Sequence, residues 1–203
     1  YAEYSDLVEP FGMDESWLDI SLIAANADKG REAAEEIRQR MRDELGLTVS
    51  IGVADNKIFA KLGSDYKKPD AITVITDDNY RELLWPLPAE RLLGVGRAGK
   101  ERLNKHGVFT IGQVATAHPD FLHFIFHSKQ GELLHAYANG RDKAPVARLD
   151  AAAMVKSIGN STTTPRDLVS DQDARLVLLM LAESVSSRLR EQATRDVLTG
   201  LLN

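Results

Sequence analysis

Apolar positions along the chain switch between two periods, and the switch divides it into three stretches. In Val8 to Ile20 the apolar residues Leu18 and Ile20 alternate with Asp19, as a strand with one buried face requires. From Asp28, Ala34, Ile37, Met41 and Leu45 recur at three- and four-residue steps. This predicts a helix capped by Asp28 and closed by Gly46 in a left-handed conformation. Leu47 to Val53 alternates again, Asn56 to Leu62 predicts a short helix, and Ile72 to Ile75 predicts a strand. Strands alternating with helices make residues 1–78 an α/β layer.

The β pattern disappears after Asp77. Pro86, Pro88, Gly94, Gly96, Gly107, Gly112, Pro119, Gly131 and Gly140 cut residues 79–150 into short helices, which predicts a small all-helical domain. The Ala-rich stretch from Asp150 to Met154 reads as a linker. In residues 151–203, Val155 to Ile158 predicts a strand. Asp171 caps a long helix with Ala174, Val177, Leu178, Leu181, Val185 and Leu189 on one face, and Val197 to Leu202 predicts a second strand. A β-α-β unit of this size has too little core to stand alone, so the last stretch reads as an incomplete domain.

With 203 residues, 43% of them hydrophobic, the chain is long enough for a packed core. It has no cysteine, which excludes disulfides and thiolate metal sites. No signal-like N-terminus and no long apolar run is present, so the expected compartment is the cytoplasm and no membrane is involved. A net charge of -5 argues against nonspecific attraction of the whole chain to nucleic acid, leaving local basic patches to do any such binding.

Two segments carry candidate chemistry. Asp14 and Glu15 are adjacent at an expected bend after Gly12. Neighbouring side chains on a regular strand face opposite ways, so two acids in a row converge on one ion only where the backbone turns. An exposed hairpin turn, where acids are common, fits the same pattern. Lys57, Lys61, Lys67 and Lys68 stand against Asp65 alone, a local excess of positive charge that suits a polyphosphate, although lysines in general more often form a solvated helix face. Lys68, beside Pro69 at a helix exit, is the candidate phosphate contact. Carboxylates holding Mg²⁺ opposite a lysine form the arrangement that phosphoryl transfer uses.

The second segment is Pro88 to Leu103, with helix, Gly94-Val95-Gly96 turn and helix in the helix-hairpin-helix order. Its glycines let backbone N–H groups approach a phosphate, the following helix presents its positive end, and Arg97 and Lys100 add charge. An ordinary tight connection is the alternative. His118, His123 and His127 have no acid at ligand spacing, and Trp17 and Trp85 read as core anchors.

In order, Val8-Glu9-Pro10 to Asp19, Ser50 to Lys57 through Lys68-Pro69-Asp70, Leu93 to Gly96 with Gly107 to Gly112, and Lys156 to Gly159 with Arg166-Asp167-Leu168 resemble the Y-family translesion DNA polymerases of the DNA polymerase IV type. The resemblance implies a partial palm (1–78), a helix-hairpin-helix thumb (79–150) and a truncated little finger (151–203). It implies that Asp14 and Glu15 are two of three acidic ligands for two Mg²⁺ ions, that Lys68 contacts the triphosphate of a dNTP, and that Gly94 and Gly96 hold primer-template DNA. The first metal-binding aspartate and the fingers would precede Tyr1, and a clamp-binding tail for the sliding clamp would follow Asn203, so the chain by itself is expected to be inactive. Ser16-Trp17 departs from the family's small apolar residue and tyrosine. A noncatalytic helix-hairpin-helix DNA-binding protein and a palm-type nucleotidyl cyclase are the other readings, the second giving no reason for the thumb-like segment.

Overall fold

The computed structural model describes residues 1–151 and 157–202, with side chains through residue 193. Residues 1–151 and 152–203 form two separate compact units.

The first unit begins with a hairpin. Strands β1 (Val8–Phe11) and β2 (Glu15–Leu18) are antiparallel, with Phe11 opposite Glu15 and Glu9 opposite Trp17. The three-residue connection turns at Gly12, whose φ of 73° lies in the left-handed region that a side chain disfavours. Helix α1 (Ala27–Leu45) follows and ends at Gly46 with φ 67°. Its cap is Asn26, two residues before the expected Asp28: the Asn26 side chain accepts from the Lys29 N–H, and Asp28 lies within the first turn. An amide oxygen on an extended residue reaches that orphan N–H, whereas Asp28 is already helical.

Strand β3 (Ile51–Val53), helix α2 (Lys57–Tyr66) and strand β4 (Ile72–Val74) form a parallel crossover unit. The strand expected from Leu47 onward is shorter, because only Ile51 to Val53 has a pairing partner in β4. Asn56 caps α2 through the Phe59 N–H. The expected sheet is in two pieces: among the described residues β2 pairs only with β1, and β3 only with β4.

The rest of the unit is helical: α3 (Tyr80–Leu84), a single 3₁₀ turn (Ala89–Arg91), α4 (Arg97–Lys105), α5 (Ile111–Thr116), α6 (Pro119–Phe126) and α7 (Gln130–Ala138). The first helix of the expected helix-hairpin-helix is therefore only that 3₁₀ turn. Leu92 is already extended, and the chain turns at once through Gly94, φ 93°. Thr110 and Gln113 form a reciprocal capping box that starts α5. One continuous core runs from Ile58, Phe59 and Leu62 of α2 through Leu84, Leu92 and Leu103 to Leu122 and Leu134. Trp85 anchors its edge, its indole N–H donating to the Ala138 carbonyl at 3.2 Å. The histidines at 118 and 127 stand at the two ends of α6, as its N-cap and C-cap residues, with His123 in its last turn.

In the second unit, helix α8 (Asp171–Leu202) takes in the segment expected to be a closing strand. Ser157 and Ile158 are not in a strand either, and Val155 and Lys156 lie outside the described residues. A strand without a partner leaves its backbone groups unpaired, whereas a helix satisfies them within itself. Ala174, Val177, Leu181 and Val185 are half-buried as a stripe, but Leu178 and Leu189, expected on the same face, are exposed. Among the described residues no helix is long and apolar enough to cross a membrane.

Candidate active site

Asp14 and Glu15 stand at the end of the β1–β2 hairpin, on the rim of a cavity of about 400 Å³. All four residues of β2 and all three of β3 line it, with Ala34 and Ile37 of α1 and Ala60 and Ser64 of α2 completing the walls. The cavity thus lies between the unpaired edges of two strands, with a helix on either side. The close approach of α2 to β3 depends on Gly52: a Cβ there would lie 1.8 Å from the Ala60 carbonyl oxygen.

The two acids differ in their surroundings. Asp14 is exposed and makes no hydrogen bond or ion pair among the described residues, so its carboxylate is available at the rim. Glu15 is half-buried. Its Oε1 receives Lys61 Nζ at 2.8 Å and stands 3.8 Å from Lys68 Nζ. Lys61 also donates to Asp65 at 2.8 Å, and Lys68 pairs with Asp65 at 2.6 Å. Glu15, Lys61, Asp65 and Lys68 therefore form a network of alternating sign, in which Glu15, Lys61 and Lys68 line the cavity. Lys68 precedes Pro69 across a cis peptide bond and is the most exposed of these cations, its side chain 51% accessible against 19% for Lys61.

Lys57 and Lys61 do not form a solvated helix face: both are packed and paired. Lys61 closes on Glu15, and Lys57 closes on Glu9, which the sequence did not single out. The available signal was their four-residue spacing on α2, which puts both on the side that meets the hairpin.

Burial alone would lower the Lys61 pKa, but Asp65 and Glu15 overcome it and the ammonium is held above its usual value. Burial likewise pushes Asp65 up, and hydrogen bonds from Lys61 and Lys68 overcome it, leaving the carboxyl below its usual range. A carboxyl with a depressed folded-state pKa stabilises the fold above its unfolded value of about 4, and this is lost as the pH falls through the folded-state value. Acidification below about pH 4 is expected to lower the urea midpoint, and Asp65→Asn to flatten that part of the profile. Superimposable profiles for the two proteins would contradict the network.

The donor set fits a divalent ion of the Mg²⁺ type in part. Such an ion takes one or two carboxylates and completes its shell with water and phosphate oxygens. Asp14 and Glu15 supply two carboxylates at one rim, and no group of three or more acidic or histidine ligands is present among the described residues.

The second candidate segment places Gly96 as the cap of α4, with no side chain satisfying the first amides of that helix and open space at its Cα. Gly94 is tied down, its carbonyl accepting from Gln130 Nε2 at 2.9 Å. Arg97 is 93% exposed and pairs with Glu101, while Lys100 is paired with Glu90. The side-chain charge of this turn is thus largely balanced, and the uncapped backbone is its main feature for an anion.

Residues 1–65 match the family model described as impB/mucB/samB family, and residues 155–199 match that for the C-terminal domain of the same family. The chain is 51% identical over 190 residues to DNA polymerase IV of Acetivibrio thermocellus, covering 94% of this chain and 47% of that protein. It is 38% identical over 190 residues to DNA polymerase IV 1 of Bacillus subtilis, covering 94% of this chain and 45% of that protein. Among solved structures, DinB from Sulfolobus solfataricus aligns at TM-score 0.64 and 28% identity over 71% of this chain and 43% of its own. A DinB family error-prone DNA polymerase from the same organism aligns at 0.65 and 25% over 91% and 55%. The chain spans about half the length of the curated relatives it matches. With both family models in order along the chain and relatives of this similarity over most of it, the chain belongs to the impB/mucB/samB family of Y-family DNA polymerases.

Proposed function

We propose that this chain supplies part of the palm (1–78), the thumb (79–150) and the start of the little finger (151–203) of a cytoplasmic translesion polymerase. That polymerase adds dNTPs to a primer 3′ end opposite damaged template. The observation that carries the reading is the placement of Asp14 and Glu15 on a cavity rim with Lys68 3.8 Å from Glu15. Asp14 and Glu15 would hold the divalent ions, which when bound supply charge neutralisation at the attacking and leaving oxygens. Lys68, exposed and held only by exchangeable ion pairs, turns from Asp65 to the triphosphate of the dNTP and takes up its charge. Lys61 keeps Glu15 oriented toward the rim.

The cavity itself supports the reading. An extended segment lying in it would pair with the free edges of β2 and β3 and bring a third acid to the rim, the role that the resemblance gives to the first palm strand. The uncapped start of α4 after Gly96, with Arg97 and Lys100, holds the DNA backbone without reading its sequence. One of the matching structures is an insertion ternary complex of Dbh DNA polymerase.

The test is a chimera in which this chain replaces the matching half of the Acetivibrio thermocellus DNA polymerase IV. It is expected to extend a primer in Mg²⁺, whereas the 203-residue chain alone gives no extension above background. A folded chimera that binds primer-template without extending it, or robust extension by the chain alone, contradicts the proposal. Duplex binding by the chain alone is expected to weaken ~10-fold between 50 and 200 mM salt, since a few phosphate contacts release a few counterions. An affinity indifferent to salt contradicts the backbone contacts.

A further inference from the structure

One cluster on the hairpin has no part in the proposed chemistry. Glu9 and Trp17 are cross-strand partners on one face of β1–β2, and Lys57 at the start of α2 closes over them. The Trp17 indole N–H donates to the Lys57 carbonyl at 3.0 Å, and the Lys57 ammonium lies 5.0 Å from the centre of the Trp17 ring. Phe11 also packs against Trp17, its ring tilted by 45° with 4.6 Å between ring centres. The Lys57 side chain is only 14% accessible.

All three ammonium hydrogens of Lys57 have acceptors: Glu9 Oε1 at 2.9 Å, Glu9 Oε2 at 2.7 Å and the Pro145 carbonyl at 3.1 Å. Glu9 Oε2 also accepts from the Ala147 backbone N–H at 2.7 Å. The ion pair thus grips the backbone of a segment more than eighty residues away, at two points two residues apart. That segment, 142–147, has no regular secondary structure of its own. It leaves α7 at Gly140, where a Cβ would lie 2.7 Å from the Phe59 ring.

We propose that Glu9, Lys57 and Trp17 form a clasp that holds residues 142–147 against the acid-bearing hairpin, fixing at its base the path by which the chain leaves the helical segment. The polarity of the clasp is set by the backbone. Position 9 has to accept from an amide, and position 57 has to donate to a carbonyl, so the pair is not interchangeable in sense. Lys57 is a positioning residue here and touches no reacting atom. The clasp stands independently of the proposed polymerase activity.

The test is residue-level amide exchange of Ala147, together with the rate of trypsin cleavage after Lys143, in the 203-residue chain. Glu9→Gln keeps the shape and removes the charge, and is expected to raise both about tenfold, with the amides of α4 to α7 unchanged. Lys57→Met, the second variant, is expected to do the same, and the double variant to add little to either single change. The reversed pair Glu9→Lys with Lys57→Glu is expected to leave the segment released, because the Ala147 amide then faces an ammonium. Unchanged exchange at Ala147 in both single variants, recovery of protection in the reversed pair, or loss of α4 to α7 protection in both single variants would overturn the clasp as a local device.

Discussion

Neutralising either rim acid in the chimera, Asp14→Asn or Glu15→Gln, is expected to lower primer extension about 1,000-fold with primer-template affinity within about twofold of the parent. Both substitutions keep the side-chain shape and remove one negative charge. The charge supplied at the attacking and leaving oxygens is worth several kcal/mol, and ~4 kcal/mol corresponds to that loss in rate. Asp14 has no partner among the described residues, so its variant is expected to carry little structural cost. Glu15→Gln additionally loosens Lys61, which still has Asp65. Steady-state extension and equilibrium DNA binding on the same preparations separate the two properties. Equal losses of both would assign the acids to folding or DNA contact, and full retention of extension would leave them as a hairpin turn.

Gly52→Ala is expected to be the most damaging alanine substitution among the described glycines. The added Cβ would meet the Ala60 carbonyl oxygen at 1.8 Å and the Ser64 amide nitrogen at 2.6 Å, both backbone atoms of α2 that cannot rotate away. Gly63 of α2 lies directly against the same point, with its own ideal Cβ 3.0 Å from Gly52 Cα. Helix and strand must therefore separate, opening the cavity wall between β3 and α2. Overpacking of this kind costs about 3 kcal/mol or more, a large part of a typical total of roughly 5–15 kcal/mol. Gly96→Ala is the control, since nothing lies within 4 Å of its Cβ position. Urea midpoints measured for both check this: a Gly52→Ala midpoint equal to that of Gly96→Ala would contradict the packing of α2 on β3.

What the sequence revealed and what it did not follow from the range of the forces involved. Local terms were legible. The period of α1, its left-handed stop at Gly46, the bend after Gly12 and the short helix from Asn56 depend on neighbours within a few residues. The acids and Lys68 stand out in the sequence as candidates, and the structure brings Glu15 and Lys68 to one corner. Long-range pairing was not legible. Nothing local marks Glu15 as the partner of Lys61, nor Glu9 as the acceptor for an amide at Ala147. The closing strand expected at Val197 to Leu202 failed for a related reason: strand formation needs a partner edge, and α8 forms from local hydrogen bonds alone.

Mn²⁺ titrated into the isotope-labelled 203-residue chain with a dNTP present gives the most direct measurement of where a divalent ion sits, because paramagnetic broadening reports proximity even when binding is weak. Broadening is predicted for the amides of Asp14 and Glu15 and of the Lys61 to Lys68 stretch, and it should disappear in the chain carrying Asp14→Asn and Glu15→Gln. Broadening centred on the acids of α1 and unchanged by that double substitution would contradict the assignment of the hairpin rim as the metal and triphosphate site.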